Sequence, residues 1–137
     1  MKAHGLFLHY QRRHPAIGMR DSPTGMNDVP ELVHFEGTRA QEIGIARAYD
    51  LGPQRISWRC HLLTNWMGDD GFLKRLYVEL RRFNMLGDTT WCKGKVSAKY
   101  IKNSEHCSDI ECWGVNQRNE INMAGQATIV LPSRGEI

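Results

Sequence analysis

The segment from residue 53 to residue 67 limits the possible folds of this sequence more than any other feature. Pro53 follows Gly52 and suits the first turn of a helix, and Gly68 to Gly71 suit its end. Seven apolar residues fall within the segment: Ile56, Trp58, Cys60, Leu62, Leu63, Trp66 and Met67. At helical spacing they occupy nearly every side, and a helix that is apolar all round must be buried all round. In a chain of 137 residues, a sheet wrapped around the helix is the simplest way to bury it.

The sequence after this helix alternates between apolar and polar residues, as half-buried strands do. Alternating stretches run over about 75–81, 93–100, 109–114 and 127–131, and turn-forming residues separate them at 86–88, 102–104 and 117–119. The pattern predicts about four antiparallel strands with short turns. One sheet face is apolar and packed, and the other meets solvent or a partner. A buried helix followed by this meander is an α+β domain.

The first third of the chain is irregular. Residues 5–10 suit a short strand, and many turn formers follow between residues 15 and 30, which predicts a long loop. Residues 38–47 favour a short helix that Gly44 weakens. We therefore expect one domain, with residues 1–34 as its irregular N-terminal segment and residues 35–134 as its compact part.

Composition excludes several classes of function. The net charge of +3 is too small for a nucleic-acid surface but suits an anionic small ligand. No window approaches the ~20 apolar residues of a membrane span. Early charges at Arg12 and Arg13 interrupt any signal peptide, so we expect a cytoplasmic protein with reduced thiols. The four cysteines form no CxxC pair and have no histidine at finger-like spacing, which argues against zinc.

Two motifs in the second half resemble those of a known fold. Residues 86–96, Leu-Gly-Asp-Thr-Thr-Trp-Cys-Lys-Gly-Lys-Val, resemble the strand entry P-G-D-T-L…G-x-V of hot-dog proteins. Residues 116–120 and 125–132 resemble the closing hairpin N-Q-x-G…G-x-A-x-V-x-L-P. Together they are similar to MaoC-like acyl dehydratases and (R)-specific enoyl-CoA hydratases, over about residues 27–134. The resemblance implies a single hot-dog domain, an antiparallel sheet wrapped around a long central helix.

The resemblance also implies a site upstream of that helix. The family signature is D-x-N-P-x-H-x-D, then an Ala, then H-G at the start of the helix. His34, Glu36, Ala40 and Gly52 fall in this order with the expected spacing. His34 thus matches the catalytic histidine, and Gly52 matches the glycine whose N–H faces the thioester. Leu51 stands in place of the histidine before that glycine.

The position of the catalytic aspartate differs from the family pattern. The family places it five residues before the histidine, where this sequence has Val29, and Asp28 stands one residue earlier. Two interpretations remain open. Asp28 reaches the site if a bulge absorbs the extra residue, or it is an Asx-turn residue of the loop.

The implied reaction is hydration of an enoyl-CoA, or the reverse dehydration. Asp28 and His34 would activate the water, and the Gly52 N–H would stabilise the charge that grows on the thioester oxygen. No cofactor is implied, because CoA is part of the substrate. Three residues flank the helix entrance and are candidates for acyl or CoA contacts: Tyr49, Gln54 and Arg55. A hydrogen-bond network at a dimer contact is the alternative for them.

Other readings stay open. Five basic residues suit either CoA phosphates or a solvated strand face: Arg81, Arg82, Lys93, Lys95 and Lys99. His61 is expected to be a core histidine. A non-catalytic subunit of a heteromeric hydratase is the second candidate function, and an acyl-CoA thioesterase using Asn65 is the third. The expected partners are an acyl-CoA substrate and a second hot-dog subunit, identical or different, with higher oligomers allowed and neither nucleic acid nor membrane bound.

Overall fold

The computed structural model of the chain describes residues 12–14, 19–20, 27–28 and 32–133. The chain divides into two compact units, residues 1–49 and residues 50–137. The strand predicted over residues 5–10 lies outside the described residues.

The first unit contains short elements. Strand β1 (Met19–Arg20) pairs antiparallel with β2 (Asn27–Asp28), so the predicted long loop includes a small ladder. A 3₁₀ turn covers Leu32–His34, and helix α1 covers Gly37–Glu42.

Helix α1 is shorter than the predicted 38–47. Gly44 adopts a φ of +84°, a left-handed conformation that ends a helix. Its N–H bonds the carbonyl of Gln41 at 3.0 Å. Residues 43–47, the second half of the predicted helix, therefore lie beyond its end.

The second unit is one helix and one sheet. Helix α2 (Gly52–Met67) precedes strands β3 (Phe72–Leu80), β4 (Thr90–Lys102), β5 (Glu105–Asn116) and β6 (Ile121–Leu131). The sheet order is β3-β6-β5-β4, with every neighbouring pair antiparallel. The predicted helix, the four strands and the α+β class are confirmed.

The strands are longer than the alternation predicted. Irregular register between Leu73 and Arg75, between Val96 and Ala98, and between Gly114 and Val115 breaks the period of two without ending the pairing. The predicted turns are confirmed: Asn103 and Ser104, both at positive φ, join β4 to β5.

The core lies between α2 and the sheet. Leu63 of α2 packs with Ile110 of β5 and with Ala127 and Ile129 of β6. Five partly buried residues surround this cluster: Met67, Leu73, Leu76, Val96 and Leu131. Burial of one such side chain stabilises the fold by roughly 1.5–3 kcal/mol.

Helix α2 is not buried all round, so that prediction is wrong for this chain. Its buried residues are Arg55, Arg59 and Leu63, spaced four apart on one face. Ile56 and Trp66 are 43% and 49% exposed. The sheet covers one side of the helix, and two of the three residues on that side are arginines.

His61 corrects another expectation. It lies on the exposed side of α2, where its Nε2 is 3.2 Å from the side-chain amide nitrogen of Asn65. It is therefore not a core histidine, and Asn65, the residue considered for a thioesterase, is exposed beside it.

Candidate functional site

His34 is held in a defined orientation within the first unit. Its Nδ1 lies 2.8 Å from the backbone carbonyl oxygen of Tyr49. The two rings meet edge to face, with centroids 4.6 Å apart. The Tyr49 N–H bonds the carbonyl of Val33 at 3.4 Å. Two of the predicted site residues, His34 and Tyr49, are thus in contact.

This hydrogen bond fixes the tautomer of His34. A carbonyl oxygen only accepts, so Nδ1 carries the proton of the neutral ring and Nε2 is the basic nitrogen. Among the described residues, Nε2 has no hydrogen-bond partner. The ring is half-buried and can accept a proton at Nε2.

Gly52 is the first residue of α2, in the second unit. The preceding Leu51 occupies the N-cap position and provides no side-chain cap. Gln54 donates its N–H to the Leu51 carbonyl at 3.0 Å, and Pro53 has no N–H. Within the described chain, the Gly52 N–H bonds no acceptor. It is an uncapped amide at the positive end of a sixteen-residue helix, the type of group that stabilises an anion.

A buried polar network surrounds the start of α2. Arg55 Nε lies 2.9 Å from Asp50 Oδ1, and their side chains are 4% and 8% exposed. The N–H does not point at the oxygen, so the contact is coulombic rather than an aligned hydrogen bond. Arg55 Nη1 donates to the carbonyls of Arg82 at 2.5 Å and Asn122 at 3.3 Å.

The network continues through amide side chains. The Asp50 N–H bonds the Asn84 carbonyl at 3.0 Å, and Asn84 Nδ2 bonds Asp50 Oδ2 at 3.3 Å. Thr90 bonds Asn84 Oδ1 at 2.9 Å, and Asn122 Nδ2 bonds Thr90 at 2.7 Å. These contacts fix Asp50, two residues before Gly52, to the β3–β4 connection.

The remaining predicted site residues are described one by one. Arg55 is buried in the network just described, and Gln54 is exposed. Asp28 lies in β2, with its backbone opposite Met19. Glu36 precedes α1 at the N-cap position and makes no side-chain capping bond. Substrate binding by Tyr49, Gln54 and Arg55 stays a prediction.

Asp88, in the predicted strand-entry motif, anchors the closing hairpin. Arg118 binds both oxygens of its carboxylate, at 2.8 and 3.1 Å, and Gln117 Nε2 binds one of them at 2.6 Å. The Arg118 guanidinium, with the Gln117 amide and the Met85 N–H, holds the pKa of Asp88 far below its usual value, although burial opposes the shift. This motif is structural.

The described chain offers neither a reactive thiol nor a metal cluster. All four cysteines are free thiols, and burial raises the pKa of Cys92 and of Cys112. No cluster of three or more metal-ligating side chains occurs in residues 32–133 or the shorter described segments. None of the described helices is long and apolar enough to cross a membrane.

Sequence reasoning missed the polar interior. Asn84 and Asn122 carry no periodic signal, because a single buried amide looks like any surface amide in a sequence. Arg55 and Arg59 did leave one: they stand four apart and therefore share one face of the helix.

Comparison with known proteins supports the fold. No family model and no curated protein matches the sequence. Among solved structures, a MaoC-like dehydratase from Rhodospirillum rubrum matches with a TM-score of 0.68 and 16% identity, over 78% of this chain and 77% of that one. The (R)-hydratase from A. caviae involved in PHA biosynthesis matches with a TM-score of 0.66 and 17% identity, over 74% and 76%.

A third match is a chain of the ChsH1–ChsH2 complex from Mycobacterium tuberculosis, with a TM-score of 0.65 and 16% identity, over 74% of this chain and 76% of that one. The sheet order and the central helix indicate the same fold as these three solved structures. The chain has the hot-dog fold, which it shares with the MaoC-like dehydratase and the (R)-hydratase among these solved structures.

Proposed function

We propose that the protein is a hydro-lyase that adds water to an enoyl-CoA, or removes it from the hydroxyacyl-CoA. The observation that supports this most is the hydrogen bond from His34 Nδ1 to the Tyr49 carbonyl. It leaves Nε2 basic and available, which is the state a water-activating histidine needs. The likeness of the fold to an (R)-hydratase and a MaoC-like dehydratase supports the same reaction class.

In this proposal His34 takes a proton from water, and Asp28 helps to orient that water. As the hydroxyl adds to Cβ, electrons move towards the thioester oxygen, and Cα then receives the proton that His34 took from the water. The Gly52 N–H stabilises the oxygen at this stage. The uncapped state of that amide supports the role, because a capped N–H would have to lose its partner before binding a substrate.

Arg55 has a positioning role in this proposal rather than direct contact with CoA. Its cation is engaged by Asp50 and by two carbonyls. Arg55 therefore fixes the position of the backbone turn that contains Gly52. Gln54 and Tyr49 remain the candidates for direct substrate contact.

We also propose that the chain works as a dimer of hot-dog subunits, in the cytoplasm. Strand β4 is at the edge of the described sheet, since it pairs with β5 alone among the described strands. Trp91 and Ile101 on this strand are 51% and 67% exposed. The unpaired backbone N–H and C=O groups along this thirteen-residue edge, with exposed apolar side chains near both ends, offer a surface to a second subunit.

A second candidate is a non-catalytic subunit of a heteromeric hydratase. Two features favour it: Leu51 stands where the family has a histidine, and Asp28 is one residue out of place. The likeness to a chain of a two-protein complex is consistent with it.

The test is hydration of crotonyl-CoA by the purified full-length chain, followed as loss of absorbance from the conjugated thioester. The proposal predicts loss of absorbance without release of free thiol. Thiol release would instead indicate a thioesterase. No reaction with crotonyl, hexenoyl or octenoyl thioesters would contradict the enzyme and favour the non-catalytic subunit.

A further inference from the structure

Arg59 is a buried cation with little to neutralise it. It has no exposed surface. Its Nη1 donates to the Lys93 carbonyl at 3.3 Å. Its other two nitrogens, Nε and Nη2, have no hydrogen-bond partner in the described part of the chain. No carboxylate of the described residues forms an ion pair with it.

The comparison with Arg55 shows what is missing. Arg55 lies one turn earlier on the same buried face, and Asp50 supplies its counter-charge. An arginine stays charged at every pH a protein tolerates, and an unpaired buried charge destabilises a fold. A chain that keeps such a group sacrifices stability, which is common at functional sites.

The groups around Arg59 cannot provide the missing anion. The thiols of Cys92 and Cys112 lie near the guanidinium, and burial raises the pKa of both, so they are neutral at pH 7. The described residues therefore leave the Arg59 cation open to an anion from a bound molecule.

The shape of the free side of the guanidinium identifies the class of anion. Nε and Nη2 are neighbours on one edge of the planar group, and their two N–H bonds point in parallel. This edge matches the two oxygens of a carboxylate, which arginine binds in a bidentate manner.

A small apolar cleft lies one turn further along α2 than Arg59. The residue after Lys93 is Gly94, which lines a small cleft of about 80 Å³ between α2 and the sheet. The other walls are mainly apolar: Leu62, Leu63, Trp66, Val96 and Ile110. Along α2, Arg59 is seven residues beyond Gly52, or ~10 Å at 1.5 Å per residue, and helical side chains lean back towards the N-terminus.

We propose that Arg59 binds a carboxylate at the far end of the acyl group, so that the preferred substrates are CoA thioesters of dicarboxylic acids. This inference rests on the proposed function, since it assumes that the thioester lies at Gly52. It goes beyond that function because it names the acyl class and the residue that selects it.

The experiment compares two saturated ligands of equal chain length, which bind without reacting. Adipyl-CoA ends in a carboxylate, and hexanoyl-CoA ends in a methyl group. Isothermal titration calorimetry on the full-length chain should show adipyl-CoA binding at least about tenfold more tightly, equivalent to one charge-assisted contact. Equal affinities, tighter binding of hexanoyl-CoA, or binding of neither would overturn the inference.

Variants of Arg59 test whether this residue causes the preference for adipyl-CoA. Arg59→Met should abolish the preference for adipyl-CoA and raise the melting temperature of the free protein, because it removes the unpaired charge. A lower melting temperature would contradict the inference, since a packing arginine behaves in that way. If Arg59→Met does not fold, Arg59→Lys, which keeps the charge without the planar fork, should lose most of the preference. Full retention in Arg59→Lys would also overturn it.

Crotonyl-CoA hydration on the same wild-type sample separates the two proposals. A protein that prefers adipyl-CoA but does not hydrate crotonyl-CoA or a dicarboxylic enoyl-CoA keeps this inference and loses the proposed activity. If the protein hydrates crotonyl-CoA but binds the two saturated ligands equally, the proposed activity is kept and the inference about Arg59 is lost.

Discussion

Arg55 Nε and Asp50 Oδ1 lie 2.9 Å apart with almost no access to solvent, directly beside the first turn of the central helix. A buried pair contributes little net stability relative to an apolar pair, but loss of one partner leaves the other as an unpaired buried charge. The pair therefore ties the geometry of the Gly52 turn to the integrity of the fold.

The first prediction concerns this pair. Asp50→Asn should lower the free energy of unfolding by about 3–5 kcal/mol, because it leaves the Arg55 cation without an anion. The double variant Asp50→Asn/Arg55→Met should cost clearly less than the sum of the single variants, since the residues are coupled. Urea unfolding measures all three. Glu79→Gln, in the exposed pair of Glu79 with Arg81, is the control and should leave the free energy of unfolding close to that of wild type. Additive costs would show that the pair is not coupled.

The second prediction concerns pH and the Asp88–Arg118 pair. The Arg118 guanidinium lowers the pKa of Asp88 in the folded state. The pair thus stabilises the fold at pH values above the unfolded pKa of about 3.9, and this stabilisation is lost as the pH falls towards the lower folded value. Arg118→Gln should lower the free energy of unfolding at pH 7, because it removes both charge-assisted hydrogen bonds to Asp88.

The difference between wild type and Arg118→Gln should shrink as the pH falls from 5 to about 2, because wild type loses its advantage as Asp88 becomes protonated. Chemical unfolding at several pH values measures it. Arg39→Gln removes an exposed pair with Glu42, and the dependence of its free energy of unfolding on pH should match that of wild type. A constant difference across the pH range would exclude Asp88 as the source.

The third prediction tests the close approach of β3 and β6. A Cβ on Gly125 would lie 2.1 Å from the carbonyl oxygen of Tyr77, which is backbone and cannot move aside without breaking the pairing. Gly125→Ala should therefore cost more than about 3 kcal/mol or prevent folding. A Cβ on Gly94 would meet Ile110 and Leu62 at 3.5 and 3.7 Å, so Gly94→Ala should be mild. Thermal unfolding of both distinguishes them, and equal effects would contradict this account of Gly125.

The fourth prediction separates the Gly52 amide from the Gly52 side chain. Gly52→Pro removes the N–H, and the preceding Leu51 already has the extended backbone that a proline requires after it, with φ −74° and ψ 136°. Hydration kcat should fall about 10²–10³-fold if this amide holds the thioester oxygen. Gly52→Ala keeps the N–H and is the matched control, because in both variants Cβ meets Leu80 Cδ1 at 3.1 Å. Equal kcat values for the two variants would contradict the role of the amide.

The sequence predicted the architecture well, since periodicity reports which side of an element is buried. Each of the four alternating stretches lies in one of the four long strands, and the segment after Gly52 forms the central helix. The sequence did not predict which face of α2 is buried, because the number of apolar residues in a helix does not indicate which of its faces packs on the sheet. Here that face holds Arg55 and Arg59.

Single polar residues that meet only in three dimensions could not be predicted. Asn84 and Asn122 are 38 positions apart, yet their side chains bond each other at 3.3 Å beside Thr90. By contrast, motif spacing singled out His34 and Gly52, and each has a local geometry that suits the proposed chemistry: a basic Nε2 and an uncapped amide.

The most direct test of the proposed function is the hydration rate of two histidine variants. His34→Asn keeps a side-chain N–H for the Tyr49 carbonyl but removes the basic Nε2, whereas His61→Asn changes an exposed histidine on α2. With crotonyl-CoA, the expected result is a fall in kcat of about 10²–10⁴-fold for His34→Asn and wild-type activity for His61→Asn. An active wild type whose kcat is unchanged by His34→Asn would contradict the role assigned to His34.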